Sequence, residues 1–165
     1  MALGTWYRIA SRTRVTLKEV LESRWGRFND DPATPTSYFA DSLLTAWLEI
    51  QARFGSVPAD ASAFRAWRAI IPELRLLDLR NADEQARHSL SLAELVADPA
   101  PPKLKDLAKK LRQGQEGYDA IIYPSVRNPP DGVCLALFLE RVKPQKVQPV
   151  NRRAWEQFLR RITSK

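Results

Sequence analysis

Histidine and cysteine are almost absent: His88 and Cys134 stand alone in 165 residues. A single cysteine excludes an internal disulfide, and the pair cannot furnish the usual multi-Cys/His zinc site, so no metal is expected. A histidine-based triad has one candidate base at most, and His88 lies in the polar stretch 84–90 (EQARHSL), where an exposed side chain is expected. No apolar run approaches the roughly 20 residues that cross a bilayer, and residues 1–10 lack the basic-then-apolar order of a secretory signal. No membrane partner is expected, and the expected location is the cytoplasm. Glycine is scarce, 6 residues against 12 prolines, and no Gly-rich phosphate loop opens a helix. Internal repeats and low-complexity tracts are also missing.

What is present suits one soluble domain spanning residues 1–165. Apolar residues make up 44% and charged residues 27%, close to globular averages, and the length suffices for a core without staples. The net charge of +7 is unevenly placed: residues 141–165 hold eight basic side chains against Glu156 alone, and residues 1–140 are balanced. Such a basic tail suits an acidic partner, a membrane surface, RNA, or simply a solvated helix face. Its confinement to one end argues against a broad nucleic-acid surface.

Patterning predicts short elements joined by irregular turns. TWYRI (5–9) reads as a strand, and Thr16 with Glu19 is a capping box for a helix over 17–23. Residues 24–37 (RWGRFNDDPATPTS) read as a long surface loop, of a length that is often functional, and Tyr38-Phe39 as a brief strand. Asp41 and Gly55 bracket a helix with Leu43, Leu44, Trp47, Leu48, Ile50 and Phe54 at helical spacing. A second helix is expected over 62–70 and a buried strand over 74–79. Ser91 and Glu94 suggest another capping box, DPAPP (98–102) an extended break, and 103–112 a helix. The clearest strands are 118–123 and 133–142, and Cys134 in the latter reads as a buried apolar thiol. Asn151 would cap a final basic helix over 151–163. The fold expected is mixed α+β, with a small, bent, mainly antiparallel sheet core and surrounding helices.

With histidine and thiol chemistry set aside, arginine, hydroxyls, aromatic rings and a carboxylate remain. Glu49 falls opposite the apolar face of its helix, so without further information it is equally a solvated residue paired with Arg53. Arg27 could be an exposed turn residue, Tyr38 a core residue and Ser125 an ordinary turn residue. Their order along the chain suggests more. Gly26-Arg27-Phe28-Asn29 follows Trp6-Tyr7-Arg8, Tyr38 comes 11 residues after Arg27, and Glu49 another 11 after Tyr38. Gly117–Ser125 then reads Gly-Tyr-Asp, three apolar residues, Tyr-Pro-Ser. This series, within residues 6–142, resembles the RES family of bacterial toxin domains, named for an arginine, a glutamate and a serine, with Phe28 where tryptophan is more usual.

The resemblance implies an ADP-ribosyltransferase-like fold and cleavage of the nicotinamide–ribose bond of NAD, which would be substrate rather than cofactor, depleting cellular NAD. It implies catalytic roles for Glu49, Arg27, Tyr38 and Ser125, with Arg27, Arg8, Tyr7, Phe28, Tyr38 and Ser125 contacting substrate. The residue types suit that chemistry. A carboxylate stabilises an oxocarbenium-like sugar, and a guanidinium fork fits a pyrophosphate. Water and phosphate are both candidate acceptors. The alternatives are transfer of ADP-ribose to a macromolecule and, from another class, a non-enzymatic basic module that binds RNA or protein. The resemblance also implies a neutralising antitoxin, or an immunity protein if the chain is delivered into the cytoplasm of a target cell.

Overall fold

The computed structural model describes residues 2–52, 60–128 and 131–163. These residues form seven strands and six α-helices: β1 (Ala2–Ser11), α1 (Leu17–Leu21), β2 (Thr36–Ala40), α2 (Leu43–Gln51), β3 (Phe64–Glu73), β4 (Leu76–Asp78), α3 (Ala82–Arg87), α4 (Leu92–Leu95), α5 (Lys103–Gln113), β5 (Ala120–Pro124), β6 (Val133–Phe138), β7 (Gln145–Pro149) and α6 (Arg152–Thr163). The strands form one sheet in the order β4-β5-β6-β2-β1-β3-β7. Every neighbouring pair is antiparallel except β4 and β5. This is the mixed, mainly antiparallel architecture expected. No helix among the described residues is long and apolar enough to cross a membrane.

Strand alternation decides what packs where. Along β6, Cys134, Ala136 and Phe138 face α5, which buries Leu104, Leu107, Ala108 and Leu111 at the i, i+3, i+4, i+7 spacing of an amphipathic helix. Leu135 and Leu137 face the other way, with Phe39, Trp6 and Ile71. A third cluster lies on the same face as α5, over β1 and β3: α2 packs Ala46, Trp47 and Ile50 on Ile9, Phe64 and Ala66, and α6 adds Trp155, whose ring meets Trp47 edge-on at 6.1 Å. Helix α2 is thereby clamped between the sheet and α6, which fixes the height of its outward side chains above β2 and β6.

Several expectations are corrected. Residues 62–70 are not a helix. They supply most of β3, nine of whose residues pair with β1 from Ser11↔Phe64 to Ala2↔Glu73. Phe64, Trp67 and Ile71 share a helical spacing, yet all three are buried on a strand covered on both faces, so burial there carries no period of two. The edge strand β7 went unseen because Gln145–Pro149 is polar and mostly exposed, with pairing to β3 its sole reason to be extended. Ser42, not Asp41, caps α2, its Oγ accepting from the Thr45 N–H at 3.1 Å, while Asp41 binds the Val133 N–H at 3.3 Å. His88 is not exposed: its side chain keeps 10% of its surface and lies 4.0 Å from Glu84. The capping boxes of α1 and α4 form as expected. Arg53, Phe54 and Gly55 lie outside the described residues.

Candidate active site

The loop between α1 and β2 folds back on β2 through a short series of hydrogen bonds. Ser23 and Thr36 exchange backbone N–H···O bonds of 2.8 and 2.9 Å, and Arg24 Nη1 donates to Pro32 O at 2.6 Å. Asn29 is buried, donating through Nδ2 to Ser23 O at 2.9 Å and accepting at Oδ1 from the Tyr38 hydroxyl at 2.7 Å. The same hydroxyl accepts from the Phe28 N–H at 3.1 Å. Burial pushes the Tyr38 phenol well above its ordinary value. Gly26 lies so near that ring that a Cβ on it would come within 2.6 Å of Tyr38 Cζ.

Above this floor is a cleft of about 190 Å³ lined by Tyr7 of β1, Arg27, Tyr38, Glu49 of α2, Tyr123 of β5 and Cys134 of β6. Arg27 donates from Nη1 to Leu95 O at 3.0 Å and from Nη2 to Ala97 O at 3.2 Å. Those carbonyls end α4, so the guanidinium is aimed by a distant chain segment rather than left to a mobile turn. The same segment also reaches the loop after β5, where Asp98 forms an ion pair with Arg127.

Ser125 and Glu49 meet across 76 positions of sequence. The Ser125 hydroxyl, fully buried, accepts the N–H groups of Arg127 and Asn128, each at 3.1 Å. With its lone pairs so used, its proton points to Glu49 Oε1, 2.6 Å away. Cys134 Sγ lies 3.8 Å from the same oxygen. Both donors act on Oε1, which leaves the rest of the carboxylate for a ligand. Burial, reinforced by the charge of Glu49, raises the Cys134 thiol well above its ordinary value, so the sulfur is a neutral donor and not a nucleophile. Asn128 Nδ2 donates to Thr45 Oγ1 at 3.2 Å, tying this loop to α2 one turn before Glu49.

Five of the residues singled out in the sequence thus gather: Arg27, Tyr38, Glu49 and Tyr7 line the cleft, and Ser125 stands behind Glu49. Two are placed differently. Phe28 is fully buried, its ring edge-on to Tyr123 at 4.9 Å in the core beneath the cleft. Arg8 borders the cleft, but its guanidinium is held by Val20 O at 2.6 Å, Tyr38 O at 2.9 Å and Ser23 Oγ at 2.8 Å, which makes it a brace between α1, β2 and the loop. Cys134, Tyr123 and Trp25 line the cleft without having been picked out for it. For Trp25 a signal existed, an aromatic residue beside Gly-Arg in a polar loop. The other two looked like ordinary strand residues. Among the described residues no three His, Cys, Asp or Glu side chains gather as a metal site.

Comparison with known proteins bears on the fold and the family. The fold is similar to that of a chain in the M. tuberculosis MbcT–MbcA toxin–antitoxin complex, with a TM-score of 0.67 and 17% sequence identity, over 95% of this chain and 88% of that one. No curated protein matches the chain. The RES domain matches residues 5–158, a span that includes both walls of the cleft, and the chain belongs to the RES domain family.

Proposed function

We propose that this chain is a toxin that consumes NAD by breaking the bond between nicotinamide and ribose. One observation carries the reading: a carboxylate, Glu49, oriented on a single oxygen by the Ser125 hydroxyl, inside a cleft shared with an aimed guanidinium and an aromatic ring. Nicotinamide leaves with the bonding electron pair, which neutralises its cationic ring nitrogen, so no strong acid is required. The sugar left behind is oxocarbenium-like, and the free oxygen of Glu49 stabilises its positive charge. Arg27, held by the carbonyls of Leu95 and Ala97, binds the pyrophosphate through its remaining guanidinium N–H donors. Tyr7 and Tyr38 offer faces to the nicotinamide. Water or phosphate then attacks the anomeric carbon and loses a proton.

Family membership and the likeness to a chain of a toxin–antitoxin complex support the toxin reading and a neutralising protein partner. Incubation with NAD tests the chemistry. The protein should release nicotinamide, and Glu49→Gln should lower the rate by about 10²-fold or more while the fold persists by circular dichroism. Near-normal turnover in a folded Glu49→Gln protein would end the assignment. ADP-ribose recovered on protein, rather than free or phosphorylated, would reassign the activity to a transferase.

A further inference from the structure

Four of the five tryptophans, Trp6, Trp47, Trp67 and Trp155, are buried, none more than 8% exposed, whereas Trp25 is 75% exposed at the mouth of the cleft. Its exposure is not looseness. Ser23 on one side is bonded in both directions to Thr36, Arg24 is tied to Pro32 O, and on the other side the Asn29 N–H closes on Gly26 O at 3.2 Å. A large apolar ring is therefore presented to solvent from a fixed loop, two residues from Arg27.

The size of the cleft says what that ring meets. At about 190 Å³ it is smaller than the roughly 300–1,000 Å³ of sites that enclose a whole drug-sized ligand. Glu49, Cys134 and Tyr123 form its inner wall, so the reacting ribose and nicotinamide occupy the enclosed part. The other half of a dinucleotide, beyond the pyrophosphate on Arg27, must leave over the rim. We infer that Trp25 is the stacking platform for the adenine base of the substrate, a binding residue at the cleft mouth. This rests on the NAD reading above. A base presents a π-face whatever its substituents, so the platform holds the base at this end without reading its edge.

Because the other four tryptophans are buried, iodide quenching of fluorescence reports on Trp25. In the Glu49→Gln protein, which holds NAD without turning it over, NAD and ADP-ribose should protect Trp25 from iodide, and nicotinamide mononucleotide should not. By calorimetry, Trp25→Ala should weaken NAD and ADP-ribose at least about five-fold, Trp25→Phe should restore most of that, and the mononucleotide should bind both variants alike. Equal affinity of Trp25→Ala for NAD would overturn the platform. So would equal weakening of the mononucleotide, or a Trp25 that stays quenchable when calorimetry shows NAD bound; protection by a protein partner alone would make it a docking anchor instead. If the parent protein binds no NAD at all, the NAD reading falls first and the platform with it.

Discussion

Ser125 has spent its hydrogen-bonding capacity inside the protein: two backbone N–H groups in, one proton out to Glu49. In the proposed reaction it acts through Glu49, as a positioning residue rather than a contact to the sugar or amide. Ser125→Ala should lower kcat well before it changes the affinity for NAD, and should cost about 1–3 kcal/mol of stability because two buried donors lose their acceptor. Steady-state kinetics and denaturant titration check both, and a variant that loses affinity while keeping turnover would put the hydroxyl on the substrate. Arg27 differs, since the carbonyls at 3.0 and 3.2 Å take two of its five N–H donors and the others can meet anionic oxygens. Arg27→Lys keeps the charge and loses the fork, and NAD affinity should drop at least about ten-fold, on the order of 1.4 kcal/mol. Calorimetry showing unchanged affinity would return Arg27 to a purely structural role.

Between β1 and β2 the chain has no long helix or strand, and its order comes from packing at single points. Gly26 is the tightest of these. A methyl on it would press on the ring of Tyr38, which is held from two sides by Asn29 and the Phe28 N–H, so the ring cannot swing away. Gly26→Ala should cost about 1–3 kcal/mol and loosen the cleft mouth, seen as a lower thermal midpoint and faster amide exchange at 24–29. The short helices depend on their caps. Backbone N–H groups of Val15 and Thr16 hold the Glu19 carboxyl below its usual range, and Lys103, then the Ser91 N–H, does the same for Glu94. A lowered folded pKa gives stability that is present above the ordinary carboxylate range and lost as pH falls through the lowered value. Protection of the Val15, Thr16 and Ser91 amides, taken relative to their intrinsic exchange rate at each pH, should therefore fall below about pH 4 while the β6 amides stay protected. These caps were legible in the sequence because a capping box is local. The β3 strand was not, since its extended form is imposed by pairing with β1 more than 50 residues away. The same distance explains the site: order along the chain picked out Arg27, Tyr38, Glu49 and Ser125, while the burial of Phe28 and the engagement of Arg8 by Val20, Tyr38 and Ser23 are visible only once the sheet is assembled.

The net charge and the candidate site occupy different parts of the protein. Residues 141–165 carry all of the +7, and α6 buries Trp155 in the cluster shared with α2 while Arg152, Arg153, Arg160 and Arg161 remain exposed. Glu49 and Arg27 line a cleft to which none of these arginines contributes. A neutralising partner with an acidic surface would thus be drawn by α6 before it covers the cleft, and long-range attraction of this kind acts on the association rate more than on the final contacts. Reversing the four arginines to glutamate should slow association at low salt, and the deficit should shrink as ionic strength rises toward about 0.5 M, where charges beyond a few ångströms are screened. Nicotinamide release should be little changed, because the buried face of α6 that clamps α2 is untouched. Stopped-flow association at several salt concentrations, run beside an NAD turnover assay, separates the possibilities. Loss of turnover in a folded reversal variant would mean that α6 controls the placement of Glu49 through α2, and unchanged association at low salt would mean that the partner approaches without the help of this basic face.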